Sequence, residues 1–155
     1  MSKEIVLIAA LLLVLSVCSA VRFGQLCSGN TDNHRRTNDS FGSGHYGDIR
    51  VHGLHKGVDV VCDDGSTVYV PFNVTLKGRV TVFTDPNKTA INNSINLEGE
   101  GLCFKLFPID PDKTSGTLCK GERIGTMLPM QTVFPVIISH VHVQMCDNAD
   151  PTSYF

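Results

Sequence analysis

Short segments rich in β-branched residues, separated by turn-forming Gly, Pro, Asn and Asp, make up most of the chain after Gly57 and restrict its fold most. Branched side chains pack well on a pleated surface, so such segments are typical of strands. No long stretch shows the period of about 3.6 residues that an amphipathic helix needs. The sequence predicts an all-β domain, mainly antiparallel, with little helix. The candidate strands cover residues 58–61, 67–70, 74–84, 94–97, 102–109, 123–128 and 137–145.

The first 20 residues have the organisation of a secretory signal peptide. Residues 5–17 are apolar except for Ser16, and Cys18-Ser19-Ala20 supplies small residues for cleavage. The apolar run is shorter than the roughly 20 residues of a membrane-spanning helix. We therefore expect a secreted mature chain, residues 21–155, that forms one domain. Its N-terminal part, residues 28–50, is rich in Gly, Ser, Asn and Asp and should be loop-rich.

Cysteine use fits a secreted protein. In an oxidising compartment the cysteines should pair where geometry allows, and an odd number leaves at least one thiol free or paired with another chain. No Cys-x-x-Cys is present, which argues against a thiolate zinc site. The formal charge of −2 lacks the basic excess typical of nucleic-acid binders. The cysteines of the predicted mature chain are Cys27, Cys62, Cys103, Cys119 and Cys146.

Four acceptor sequences for N-glycosylation fit the same interpretation. They begin at Asn38, Asn73, Asn87 and Asn92. We expect exposed turns at these positions, and an unmodified surface Asn is the alternative at each of them.

Two histidine arrangements carry the most chemical information. His55 and Asp59 are four residues apart, and His140 and His142 are two apart inside an alternating apolar segment. Residues i and i+2 of a strand share a face, so two neighbouring strands could present three imidazoles and one carboxylate to one point. Imidazoles and carboxylates are ordinary zinc ligands, and three protein ligands with a water form an open, catalytic type of site. The alternative is a hydrogen-bonded polar cluster without a metal.

Other motifs indicate less. Residues 42–47 match G-x-G-x-x-G, but no predicted strand precedes them and no helix follows, so a flexible loop is a better interpretation than a dinucleotide site. His34, His45 and His52 are expected to be solvated surface side chains.

The motif His55-x-Gly57-x-Asp59, followed by His140-x-His142, resembles the signature of the lysostaphin-type zinc endopeptidases, the M23 family. The closer resemblance is to the leukocyte cell-derived chemotaxins, secreted vertebrate proteins built on that peptidase fold, and it covers essentially the whole mature chain. The resemblance implies an M23 peptidase-like single domain. The similarity extends to residues 65–71 and 120–125 and is most specific over residues 55–62, 90–107 and 139–155.

The resemblance also implies roles for individual residues. His55, Asp59 and His142 take the positions of three zinc ligands, and His140 takes that of one of two non-ligand active-site histidines. Pro108 stands where the peptidases have the other histidine, which the chemotaxins also lack. Proline offers no hydrogen-bond donor. We therefore expect a bound zinc without peptidase activity, with His140 as a remnant of the active site.

The family's disulfides imply the pairs Cys27–Cys62 and Cys103–Cys146. A third family bridge would join positions 38 and 43, which are Asn38 and Ser43 in this chain, so that bridge is absent. The loss leaves residues 34–47 without this covalent restraint. Cys119 is an extra thiol and a candidate for a disulfide between two chains.

Three functions compete at this point. The first is a secreted, zinc-binding, non-catalytic chemotactic or cytokine-like protein that acts on leukocytes through cell-surface receptors. The second is an active zinc endopeptidase that cuts glycine-rich bacterial wall peptides. The third is a binding module for bacterial surfaces that keeps the groove without the chemistry. Secretion, the family resemblance and the missing histidine favour the first function, and Pro108 argues against the second. We therefore rank the first above the third, and the third above the second.

Overall fold

The structure, a computed structural model, describes residues 19–155 as two antiparallel β-sheets, a short β-hairpin and little helix. Residues 1–18 of the predicted signal peptide, which covers residues 1–20, lie outside the described residues. Two 3₁₀ turns cover Pro86–Ile91 and Thr152–Tyr154. The regular elements are β1 (Ile49–Arg50), β2 (Gly53–Leu54), β3 (Val58–Val61), β4 (Thr67–Tyr69), β5 (Val74–Val80), β6 (Ser94–Gly99), β7 (Leu102–Phe107), β8 (Ile109–Pro111), β9 (Ser115–Leu118), β10 (Arg123–Met127), α1 (Met130–Val133) and β11 (His140–Met145).

The larger sheet contains six strands in the order β3-β11-β7-β6-β5-β9. In β11, which lies between β3 and β7, successive side chains point to opposite faces. Val141 and Val143 are fully buried in the core on one face. The other face presents His140, His142 and Gln144, and it faces a groove. The alternation of the sequence therefore decides which side of the sheet can carry a site.

A smaller sheet, in the order β4-β10-β8, completes the hydrophobic core. Its Val68, Ile109 and Ile124 are fully buried in the same cluster as Phe104 and Leu106 of the larger sheet. One core therefore joins both sheets. Among residues 19–155, no helix is both long and apolar enough to cross a membrane.

The predicted all-β, mainly antiparallel fold is confirmed, but several details of the strands differ from the prediction. The β1–β2 hairpin was not predicted, because it consists of two two-residue strands beside a segment rich in Gly, Ser, Asn and Asp. Strand β9 was not predicted, because Ser115-Gly116-Thr117 has little β-branched character and lies at a sheet edge. The candidate 102–109 is two strands in different sheets, because Pro108 has no N–H with which to continue a ladder. The candidate 137–145 begins as a strand only at His140.

A further difference is the end of β5, which stops at Val80 instead of Thr84. The Asn92 side chain takes over the backbone groups beyond that point. Its Oδ1 accepts from the N–H groups of Val82 and Phe83, at 2.7 and 2.8 Å, and its Nδ2 donates to the Phe83 carbonyl at 2.7 Å. A side chain hydrogen-bonded in this way holds the segment in a loop.

The same bonds bear on glycosylation. Asn38, Asn73 and Asn87 are exposed, as expected for acceptor sites, and modification itself stays a prediction. Asn92 is only partly exposed, and a glycan on its Nδ2 would compete with the bond to Phe83. The structure therefore corrects the prediction of an exposed acceptor at Asn92.

The structure contains the two disulfides that the resemblance implies, Cys27–Cys62 and Cys103–Cys146. Cys103 lies in β7 and Cys146 directly follows β11, so this bridge joins two neighbouring strands. Cys119 is exposed and free among the described residues. Disulfides of this kind are typical of oxidising, extracellular compartments.

Removal of the Cys27–Cys62 bridge should destabilise the protein strongly. The bridge spans 35 residues, so its loss in a Cys27→Ala/Cys62→Ala variant should lower the free energy of unfolding by roughly 3–4 kcal/mol through the greater freedom of the unfolded chain. Urea denaturation measures the change. Cys119→Ser is the control and should leave the midpoint unchanged. An equal loss in both variants would contradict the assignment.

Candidate metal centre

Two neighbouring strands and the loop before them bring three polar side chains to one point. Asp59 of β3 lies directly opposite His142 of β11, and His55 precedes β3. His55 Nε2 is 3.0 Å from Asp59 Oδ1 and 3.0 Å from His142 Nδ1. His142 Nδ1 is 2.9 Å from Asp59 Oδ1. These three side chains, called the tripod below, could together hold a metal ion.

The outer nitrogens of both tripod histidines face oxygen atoms. His55 Nδ1 is 2.7 Å from the His45 carbonyl oxygen, and His142 Nε2 is 3.1 Å from Gln144 Oε1. A ring nitrogen that faces an acceptor carries the proton of a neutral imidazole, so the inner nitrogen keeps its lone pair. Hydrogen bonds of this kind orient the imidazoles of metal sites.

Asp59 contributes the third inner atom and the negative charge. Its side chain is 1% exposed, and burial opposes its ionisation, yet the surrounding histidines hold the pKa of its carboxyl well below the usual value. Two inner ring nitrogens and a carboxylate oxygen therefore converge on one point. The lone pairs of three such atoms repel one another unless a shared proton or a metal ion lies among them.

The donor set fits a zinc ion. Tetrahedral ligands at about 2.0–2.1 Å from one zinc lie about 3.3 Å apart. The tripod atoms, at 2.9–3.0 Å, need to move only slightly to reach that spacing. Because the three donors come from one side and the groove lies on the other, the arrangement matches the open type of zinc site.

The second oxygen of Asp59 is held by a buried arginine. Arg36 Nη2 and Nε lie 3.0 and 3.2 Å from Asp59 Oδ2, and Arg36 is 2% exposed. Arg36 Nη1 also pairs with both carboxylate oxygens of Asp39, at 2.8 and 2.9 Å. This pairing leaves Asp59 Oδ1 as the oxygen that faces the histidines.

The same interactions order the loop that lacks the third family disulfide. Backbone bonds close Asp39 onto Gly42 at 3.2 and 3.1 Å, and Arg36 Nη2 donates to the Ser43 carbonyl at 3.2 Å. Asp39 Oδ2 further accepts from the Ile138 N–H just before β11. Ion pairs and hydrogen bonds thus connect this loop to itself and to the segment before β11 in the folded protein.

Glycine is required where the first motif passes β11. A Cβ on Gly57 would lie 2.5 Å from His142 Cε1 and 2.4 Å from the Val143 carbonyl oxygen. No real side chain tolerates such a separation from backbone. Gly57 therefore lets the loop that carries His55 approach His142 closely enough to form the tripod.

His140 lies beside the tripod, on the face of β11 that the alternation predicts, but its ring nitrogens contact Ile138 and the other carboxylate oxygen of Asp59. Its Nδ1 faces the Ile138 carbonyl oxygen at 2.7 Å, and its Nε2 lies 3.4 Å from Asp59 Oδ2. Burial lowers the pKa of His140 to about 4. The imidazole is therefore neutral at physiological pH, with its proton directed at a backbone carbonyl.

The pKa of His140 predicts acid sensitivity of the metal-free protein. Between pH 6.5 and about 4 the unfolded chain binds a proton that the folded chain does not, so stability should fall as pH drops through this window and level off below it. The full loss corresponds to about 3 kcal/mol. Urea denaturation of EDTA-treated protein should show a smaller loss for His140→Gln. Equal pH dependence of both proteins would contradict the neutral assignment.

The segment around Pro108 offers no proton donor to the site. Phe107 lies opposite His142 in the ladder and lines the groove, whereas Pro108 is buried between β7 and β8. Neither side chain can donate a hydrogen bond. Whether Pro108 occupies the position of the second family histidine stays an expectation from the resemblance.

Sequence reasoning missed the residues that support the tripod. Gln144 follows the alternation of His140 and His142, so the strand period alone could have indicated it. Arg36 and the carbonyl of His45 lie in a segment interpreted only as a loop, and nothing local signals their role. The side chains of His34, His45 and His52 are exposed, as expected.

A groove of about 680 Å³ opens beside the tripod. Its floor includes His142 and Phe107 of the larger sheet. One wall is the β1–β2 hairpin with Ile49 and Val51, which are 84% and 94% exposed. The structure thus places exposed apolar side chains in the same groove as a set of potential metal ligands.

Comparisons with known proteins identify the family. Leukocyte cell-derived chemotaxin-2 of Mus musculus is 46% identical over 149 residues, which cover 96% of each chain. The Bos taurus protein of the same name is 45% identical over 153 residues, which cover 99% of this chain and 98% of its own. No protein-family model matches the chain.

The solved structure of Helicobacter pylori Csd3 aligns with a TM-score of 0.55 at 14% identity and covers 87% of this chain. The aligned part spans 35% of the Csd3 chain, so the likeness concerns the fold alone. That fold is M23 peptidase-like. With two relatives at 45–46% identity over nearly its full length, the chain belongs to the leukocyte cell-derived chemotaxin-2 family.

Proposed function

We propose that the protein is a secreted, zinc-binding chemotactic protein that acts on leukocytes through cell-surface receptors and has no peptidase activity. The observation that carries this proposal is near-full-length similarity to proteins named leukocyte cell-derived chemotaxin-2. Two disulfides support secretion from an oxidising compartment. Residues 1–20 would act as the signal peptide and residues 21–155 as the mature domain.

His55, Asp59 and His142 would hold the zinc. A bound zinc supplies a positive charge and an acidified water. Peptide cleavage would further require a donor for the oxyanion and a proton for the leaving amine. The proton on His140 Nδ1 is directed at Ile138, and Phe107 and Pro108 have none to give. The chain's own residues therefore support metal binding better than hydrolysis.

A migration assay tests the chemotactic proposal. We expect leukocytes to migrate toward the chamber that contains the purified, zinc-loaded mature protein. We expect no directed migration when both chambers contain the protein at the same concentration. The heat-unfolded, reduced protein is the control. Absence of directed movement at micromolar concentration would reject the proposed role.

Incubation with bacterial wall substrates tests the absence of catalysis. The zinc-loaded protein should release no product from pentaglycine or cell walls, because loss of one transition-state donor typically costs about 10²–10³ in rate. Mass spectrometry of the products measures this. Turnover that disappears in His140→Ala would contradict the proposal and establish an endopeptidase.

A bacterial-surface binding module is the second candidate, and the open groove beside the tripod favours it. Such a module would bind wall polymers without cutting them. Cosedimentation of the protein with purified cell walls, with and without excess pentaglycine, tests this candidate. Binding that pentaglycine displaces would support it, and an absence of cosedimentation would exclude it.

A further inference from the structure

Two lysines with no acidic partner lie in the groove beside the tripod. Lys105 of β7 is the ladder partner of Gln144, two pairs along from Phe107 and His142, and all four line the groove. Residues 105 and 107 share a face, so the lysine projects from the same surface as the tripod. Lys105 is half-buried, and burial lowers the pKa of its amine.

The second lysine lies on an aromatic wall. The Nζ of Lys88 is 4.6 Å from the ring centroid of Phe83 and 5.5 Å from that of Phe134. Phe83 in turn packs edge-on against Phe107, with ring centroids 5.4 Å apart. Cation–π contact orients an ammonium group without neutralising it. Lys88 is therefore held at the groove with its charge available.

Among the cations of the groove, only the two lysines lack an acidic partner in the part of the chain that the structure describes. The charged residues that line the groove, among those that the structure describes, are four cations and one carboxylate. The carboxylate, Asp59, is already engaged by Arg36, Arg50 and the histidines. Both arginines also have a second acidic partner, Asp39 for Arg36 and Asp48 for Arg50. In residues 19–155 neither Lys88 nor Lys105 has a carboxylate within ion-pair distance. The four cations are Arg36, Arg50, Lys88 and Lys105.

Exposed apolar side chains flank these charges. In the β1–β2 hairpin, Ile49 is 84% exposed and Val51 94%. Nearby in the groove, Phe41 is 38% exposed and Val82 41%. Exposed apolar surface next to charged groups marks an interaction site. A ligand that matches both features carries negative charge between bulky apolar groups.

We propose that the groove binds an extended acidic peptide segment, with its carboxylates on Lys88 and Lys105 and its apolar side chains against Phe83, Val82 and the β1–β2 hairpin. A sulfated glycan fits less well, because it has no apolar groups for these walls and the chain carries a formal charge of −2. The acidic peptide would be part of the proposed cell-surface receptor. Only this origin of the peptide rests on the proposed function.

Titration calorimetry with two matched peptides tests the proposal. The probes are acetyl-Gly-Phe-Glu-Leu-Glu-Gly-amide and its counterpart with both Glu replaced by Gln, added to the zinc-saturated mature protein. The Glu peptide should bind about tenfold more tightly at low salt, a difference of about 1.4 kcal/mol. The preference should shrink at high ionic strength because salt screens exposed charges. Equal affinities would overturn the proposal.

Lysine variants locate the site. Lys88→Gln and Lys105→Gln should each weaken the Glu peptide roughly two- to fivefold, with little effect on the Gln peptide. Lys113→Gln is the matched control, since this exposed lysine donates to the Thr117 carbonyl outside the groove lining. An equal effect of the control would overturn the assignment. So would a heparin hexasaccharide that displaces the peptide and binds more tightly than it.

A second readout separates this inference from the proposed function. If the wild type attracts leukocytes and Lys88→Gln/Lys105→Gln does not, the groove is supported as the receptor contact. If both attract equally while the double variant has lost peptide binding, the receptor assignment of the groove is overturned and chemotaxis stands. If neither attracts cells but the wild type still prefers the Glu peptide, the chemotactic role fails and the peptide chemistry is supported.

Discussion

Replacing Asp59 with Asn should abolish stoichiometric zinc binding. The wild type should contain about one zinc per chain after zinc-replete purification. Asn has nearly the same shape but lacks the charge that offsets the cation. Affinity should fall by more than the roughly 10–100-fold that loss of an outer hydrogen-bond partner costs. Elemental analysis and competition with a chromogenic chelator measure both quantities.

His52→Ala is the matched control for the zinc experiment, because His52 also lines the groove but lies outside the tripod. Its zinc content should equal that of the wild type. A wild type without zinc would show that the tripod is a hydrogen-bonded polar cluster. A variant at position 59 that retains its zinc would show that Asp59 is not a ligand.

Replacing Arg36 with Met should destabilise the fold and weaken zinc binding together. Asp59 and Asp39 would both lose a buried partner, and removal of one member of a buried pair typically costs roughly 3–5 kcal/mol. The freed Asp59 would also lose the contact that orients Oδ1 toward the histidines. Denaturant titration and the chelator competition measure the two effects on the same preparation.

Arg35→Met offers a neighbouring control. Arg35 is the adjacent cation in sequence, but its backbone, and not an ion pair, connects it to Val60 of β3. The substitution should change stability by less than about 0.5 kcal/mol. If Arg36→Met lost stability and kept full zinc affinity, Arg36 would support the fold without positioning the tripod.

The strand pattern and the spacing of the histidines were readable from the sequence because both depend on local geometry. Alternation places His140 and His142 on one face whatever lies around them, and β-branched segments favour strands in most contexts. The disulfide pairs and the ligand set came from the family resemblance. Spacing alone left both the pairing and the metal open.

The strand limits were decided by tertiary contacts. Asn92 ends β5 by binding backbone groups ten residues before it, and β9 forms because β5 offers it an edge. The local sequence indicates neither feature. In another context the residues after Val80 could continue the strand, and the residues of β9 could form a loop.

The support of the tripod was also decided only in three dimensions. The sequence placed His55, Asp59, His140 and His142 as candidates because their types and spacing suit zinc. It could not show that Arg36 crosses 23 residues to hold Asp59, or that His45 presents a carbonyl to His55. Ion pairs and backbone acceptors depend on where the chain returns in space. Local sequence therefore determined the ligand types and the sheet face, and the fold determined the orientation of the ligands and the charges around them.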